Sequence, residues 1–286
     1  MKKNVRHMVL FCLVMICFVF QGKMIGKAAF LGEKVYVKGT STVMNQDITG
    51  DGEKDTIRVD ISMLDAYYCE TLKVYVNGNL ALTENIKGCS GADVCFFSCS
   101  KSNNYLQIHV YADGGYMYLN KVYAYADGKM ATAADFGRED NMMVSITKVT
   151  SSAITVKFSV QPAETGRVEW NYVYQPNGKK LKLKNAAAKA TSTLGSWTVN
   201  DGYQKYFKQN KFVTNKGRTF YTSSSMKKKA FTTKRGDILK LQSVKWVGKK
   251  MYMSFKKGNK VGWQIVNKHS ITGRDWFYGV GSRLAG

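Results

Sequence analysis

The 286-residue chain carries 43 Lys and Arg against 20 Asp and Glu, a formal charge of +23. With 26 glycines, two prolines, 17 tyrosines, 14 phenylalanines and almost no amphipathic helical stretch, it reads as mostly β, which excludes a helical bundle. So much positive charge repels itself unless an anionic partner or counterions offset it.

Lys2, Lys3 and Arg6 precede an uncharged run from Met8 to Phe20, and Gly26, Ala28 and Ala29 then supply small residues. Charged start, short apolar middle and small-residue end predict a secretory signal over 1–29, cleaved after Ala28 or Ala29. The apolar run of about 13 residues is short for a bilayer span, although a retained anchor is the competing reading. Cys17 follows Val-Met-Ile and lacks the small residue of a lipoprotein signal, so free secretion or wall association is expected. Four cysteines remain: Cys69, Cys89, Cys95 and Cys99. They suit two disulfides in any of three connectivities, or free half-buried thiols. Their spacing is not the paired one of a zinc site.

Residues 47–55, Asp-Ile-Thr-Gly-Asp-Gly-Glu-Lys-Asp, place carboxylates at positions 1, 5 and 9 of a loop, with glycine at position 6 for a sharp turn. The next residues, Thr56 to Ile61, alternate as a strand. Hairpin signals then recur: Asn77-Gly78, Asp127-Gly128 and Asn177-Gly178, each 50 residues after the last. Each is preceded by an earlier strand, at 56–61, 105–111 and 153–160, so three strand, strand, turn, strand units are predicted. Three blades are few for a closed propeller, so an open, partial propeller or a sandwich is the expected arrangement. The acidic loop and its Ile/Val strand resemble the calcium loop of FG-GAP/VCBS-type repeats. That resemblance implies Asp47, Thr49, Asp51 and Asp55 as side-chain ligands of calcium and Glu53 as a carbonyl donor. Thr49 departs from the Asp or Asn usual at the third position, and only the first unit has the loop.

Charge divides between the halves: residues 30–140 hold 10 basic and 15 acidic residues, whereas 171–286 hold 25 and three. Such asymmetry marks separate modules with separate partners. From about Thr214 short strands and turns crowd together, predicting a small barrel. Thr219 to Thr222, Ala230 to Asp237 with its Lys-Arg-Gly-Asp turn, Lys245 to Phe255 and Lys260-Val261-Gly262-Trp263 resemble a bacterial SH3-like domain. Such domains commonly bind cell-wall peptides or target larger proteins to the wall. Trp263, alternating with Val261 and Ile265, is expected on the core side; Tyr221, Trp246 and Tyr252 are the groove candidates by residue type.

The resulting organisation is all-β: a signal at 1–29, a blade-like calcium-loop domain at 30–186, a connector rich in Ala, Lys, Ser and Thr at 187–213, and an SH3-like barrel at 214–286. The expected work is non-catalytic binding of an anionic cell-wall polymer or peptidoglycan, with a second protein or glycan partner open to the first module. Lys179 to Lys184 and Lys227 to Lys229 would bind polyanions by counterion release. Export argues against a dedicated nucleic-acid role, although nonspecific nucleic-acid binding is one alternative. The other is a wall hydrolase pairing one of the four cysteines with His109. His109 falls on the Tyr105, Gln107 and Tyr111 side of its strand, opposite Leu106, Ile108 and Val110, and reads as solvent-facing. Serine-hydrolase, phosphate-loop and dinucleotide fingerprints are missing.

Overall fold

The computed structural model describes residues 29–112, 117–137, 143–160, 167–193, 204–207, 209–248, 250–266 and 276–278. Of the signal read at residues 1–29, all but Ala29 lies outside the described residues. Apart from one helical turn, Gln204–Phe207, the named elements are strands, and they form two antiparallel sheets, as an all-β fold requires.

The first sheet runs β3 (Ser41–Gln46), β4 (Asp55–Met63), β5 (Cys69–Val76), β6 (Asn79–Ser100), β7 (Asn103–Ala112), β8 (Met117–Ala126) and β9 (Lys129–Asp135) in spatial order. The short strands β1 (Phe30–Leu31) and β2 (Val35–Val37) pair with the second half of β6. Its hairpins follow from local chemistry. Asn77 and Gly78 take φ 49° and 83°, and Asp127 and Gly128 take 52° and 79°, the two positive-φ residues of a type I′ turn. In β4, Ile57, Val59 and Ile61 are buried while Thr56 and Arg58 are exposed, so the period-2 pattern translates directly into a core face. β6 pairs along most of β7, which makes the first two of the three predicted units adjoining parts of one sheet.

The third unit belongs to the other sheet. That sheet orders β10 (Met143–Thr150), β11 (Ala153–Val160), β12 (Arg167–Asn177), β14 (Ala187–Thr193), β18 (Ile238–Val247), β19 (Lys250–Lys257), β20 (Lys260–Ile265), β16 (Thr219–Tyr221) and β17 (Lys229–Thr232). β13 (Lys180–Leu183) pairs with β12, and β15 (Lys211–Val213) with β18. At the third hairpin Asn177 pairs with Lys180, so Gly178, φ 61°, becomes the first central residue; this is the glycine position of a type II′ turn, one residue later than in the first two. Residues 187–193, assigned to the connector by composition, form β14. Ala190 pairs with Trp170 of β12 and Ala188 with Val244 of β18, so this strand carries the sheet from the third unit into the basic tail.

Two cores result. One lies within the first sheet and includes Ile57, Leu72, Val94 and Ile108. Glu84 of β6 accepts hydrogen bonds from Tyr123 Oη (2.5 Å) and Lys121 Nζ (3.0 Å) of β8, which ties the two ends of this half together. The other core joins both sheets and the tail, from Phe97 and Tyr105 through Phe136, Phe158 and Trp170 to Phe212, Phe220 and Phe255. Phe136 meets Tyr174 at 5.1 Å across the sheets, and Phe158 stacks on Trp170 at 5.5 Å.

Gly262 fixes which face of β20 looks inward. It pairs with the core residue Phe255, and a Cβ there would stand 2.5 Å from Phe220 Cβ and 2.8 Å from the Phe231 ring. The Gly262→Ala variant is therefore expected to lose about 1–3 kcal/mol of stability through overpacking. A urea midpoint equal to wild type would refute this.

Candidate functional site

The inward glycine sends the neighbouring Trp263 to the opposite face, which corrects its expected core position: Trp263 is half-buried and outside the core cluster, and Val261 is exposed. Trp263 pairs with Ser254 on one side and with Tyr221 on the other. Trp246, one of the groove candidates, goes the other way. It pairs with Met251, and both belong to the core. Tyr252 pairs with Lys245 and Ile265 and is absent from the core cluster, so it shares the outer face with Trp263, although it is only 8% exposed. The structure thus brings Tyr221 and Tyr252 together with Trp263, and withdraws Trp246. The signal that could have found Trp263 is the glycine beside it, since a residue without a side chain in an aromatic-rich sheet marks the crowded side.

The same outer face is basic. Lys211 of β15 pairs with Lys240 of β18, and Lys240 with Lys256 of β19, so three lysines stand in register across three adjacent strands, Lys211 Nζ donating to Gln209 Oε1 at 2.6 Å. One row further, Lys189 of β14 pairs with Ser243, and Lys229 of β17 with Tyr221. Lys240 and Lys256 are exposed and form no ion pair among the described residues. Like charges directly opposite one another on a sheet destabilise it, so this row has a cost that a bound polyanion would offset. The neighbouring acid is spoken for. Burial raises the pKa of Asp237, but the Lys257 ammonium at 2.5 Å and the Lys234 N–H at 2.7 Å more than reverse this and hold the carboxylate low. The other predicted clusters are strand edges and loops. In β13, Lys182 is exposed while Leu181 is buried, and Lys180 Nζ donates to Thr132 O at 2.7 Å, which ties β13 to β9; Lys227 to Lys229 are exposed.

The acidic loop links β3 to β4. Register pairing of Gln46 with Asp55 sets Asp47 and Asp55 close together at the base, where they are 3% and 2% exposed, whereas Asp51 and Glu53 are exposed at the tip. Asp47 Oδ1 accepts from Gly50 N (2.7 Å), Asp51 Oδ1 from Glu53 N (2.7 Å), and Asp55 from Thr49 N (2.9 Å) and Asn77 Nδ2 (2.7 Å). Thr49 Oγ1 is buried with no hydrogen-bond partner among the described residues. No group of three or more His, Cys, Asp or Glu side chains converges as a metal cluster among the described residues. The fit to calcium therefore rests on two buried carboxylates and the orphaned Thr49 hydroxyl, an all-oxygen set of the kind hard cations take. Lys101 competes for the same acidic loop, since its Nζ lies 3.3 Å from where a Gly52 Cβ would be.

His109 is the largest departure from the sequence reading. It is 7% exposed, because β6 and β7 have apolar cores on both faces, and neither ring nitrogen has a partner among the described residues. It pairs with Asp93 of β6 and Asn120 of β8, and Tyr111, whose hydroxyl donates to Asp93, lies against its ring at 4.3 Å. Burial pushes its pKa down to about 4; Lys34 adds to this and Asp93 opposes it. The four thiols shift the other way. Burial raises all of them, Cys89 and Cys99 to about 11. Cys95 Sγ donates to Gly32 O at 3.2 Å instead of to His109.

No protein family, curated protein or solved structure matches this chain. Among the described residues no helix is long and apolar enough to cross a membrane.

Proposed function

We propose that the protein is a non-catalytic, secreted cell-envelope component that binds anionic wall or surface polymer through the outer face of β14 to β20. The observation that carries this reading is the Lys211, Lys240 and Lys256 row, three like charges held in register, of which Lys240 and Lys256 have no acidic partner among the described residues. Tyr221 and Trp263 beside it supply apolar rings on which the sugar faces of a wall polymer could rest. This division of labour suits an SH3-like wall-binding module attached to a calcium-loop, FG-GAP/VCBS-like half. Thiols with raised pKa and a histidine kept neutral are the reverse of a thiolate–imidazolium pair, which weighs against the cysteine hydrolase.

The test is sedimentation of the full chain with purified wall sacculi across a salt series. Binding in dilute buffer that falls steeply with added salt is expected from counterion release. Affinity unchanged by salt, or no binding at all, would reject the electrostatic reading; equal affinity for duplex DNA would make the face a nonspecific polyanion binder.

Calcium, in this reading, would be held by Asp47, Thr49, Asp51 and Asp55 with the Glu53 carbonyl, offsetting the repulsion of the loop carboxylates. Titration calorimetry of the full chain with calcium is expected to release heat that the Asp51→Ala variant lacks. No heat from wild type eliminates the site.

A further inference from the structure

We infer that Cys69 and Cys89 close a single cross-strand disulfide as the chain folds under oxidising conditions, leaving Cys95 and Cys99 as thiols. The oxidising compartment rests on the export reading; the pairing does not. Cys69 opens β5 and its register partner on β6 is Cys89. Directly opposed antiparallel residues have Cα atoms about 4.5 or 5.5 Å apart, and both spacings lie inside the range of roughly 4.4–6.8 Å that a disulfide spans. Both side chains enter the same buried core. The Met63 thioether extends the sulfur row, as the register partner of Cys69 and the acceptor of its thiol at 3.9 Å.

The other pairings fail on geometry. Cys95 and Cys99 lie four residues apart on one extended strand, about 13 Å at the usual rise. Cys99 belongs to the core between the sheets, whereas Cys69 and Cys89 belong to the core within the first. Cys95 pairs with Gln107, on the far side of β6 from β5.

The bond would lie where the ladder needs it. Between the Thr71–Asn85 and Cys69–Cys89 pairs, β6 carries two more residues than β5, and Gly88 takes φ 84° there. A covalent link beyond this bulge holds the register that the missing hydrogen bonds do not.

The oxidant is a disulfide of the surroundings, either a dithiol oxidase or an oxidised small thiol. One cysteine thiolate attacks it and expels a thiolate; the second cysteine then displaces the partner from the mixed disulfide. Both cysteine protons and two electrons end on the reduced partner as two thiols. Because the folded thiols are buried, the exchange belongs to the stage at which β5 and β6 first pair.

The experiment refolds the full chain in a mixture of oxidised and reduced glutathione, then alkylates it in denaturant without reductant. Label on Cys95 and Cys99 but not on Cys69 and Cys89, with a mass before alkylation two hydrogens below that of the fully reduced chain, is the expected result. Label on all four, or a link involving Cys95 or Cys99, overturns the pairing. The Cys95→Ala, Cys99→Ala variant keeps the bond, and reducing it lowers the melting midpoint by roughly 5–10 °C. Because the bond forms in vitro whatever the native compartment, finding it in vitro but not in the producing cell would count against export and leave the pairing intact.

Discussion

Replacing Lys240 by glutamate is expected to weaken binding to sacculi about 10-fold or more in dilute buffer while making the protein slightly more stable. The two effects have one cause. Lys240 is the middle of the Lys211, Lys240 and Lys256 row, so a glutamate there turns two repulsive neighbour contacts into attractive ones. The melting midpoint should rise by roughly 1–2 °C. The polymer meets a row with its central charge reversed, and the slope of log affinity against log salt should shrink by about one to two. Trp263→Ala offers the contrast: affinity drops and the salt slope stays as in wild type, because the ring contributes no charge. A Lys240→Glu protein that binds as tightly as wild type would place the polymer elsewhere. The exposed clusters on β13 and between β16 and β17 would then be the candidates.

Stability is expected to fall by about 3 kcal/mol between pH 6.5 and pH 4 on account of His109 alone. In the fold its imidazole titrates near pH 4, whereas in the unfolded chain it does so near 6.5. Between these values the unfolded chain binds the extra proton and the fold does not, so falling pH favours unfolding; above 6.5 both states are neutral and the effect vanishes. Asp237 acts in a different window. Its carboxylate is held below the ordinary range, so the stability it adds is lost only as pH falls further, through its lowered pKa. Urea midpoints at pH 7, 5.5 and 4.5 would show the His109 limb, and His109→Gln should flatten it without removing the more acidic one. Midpoints independent of pH across this range would mean that His109 meets solvent.

The residues differ in how openly they declare their place. Ile57, Val59 and Ile61, Asn77-Gly78 and Asp127-Gly128 were legible because strand alternation and positive φ are properties of a few consecutive residues. β14 was not. Ala188 and Ala190 are buried, yet in a run of Ala, Lys, Ser and Thr they look like a connector, because a small side chain becomes a core residue only where two neighbouring strands close around it. For His109 the alternation correctly assigned the face, but the sequence does not say that the face is covered by a second layer.

The candidate site follows the same division. Its charge, its aromatic content and the acidic loop were written in the chain itself, since composition and local spacing need no partner strand. Tertiary structure decided that Lys211, Lys240 and Lys256 lie abreast, that Gly262 turns Trp263 outward while Trp246 packs inward, and that Cys69 faces Cys89. Each of these is a register between strands, with Lys211 and Lys240 29 residues apart in sequence, Lys240 and Lys256 16, and Cys69 and Cys89 20, and register is fixed by the whole sheet's packing against its core, not by any one strand.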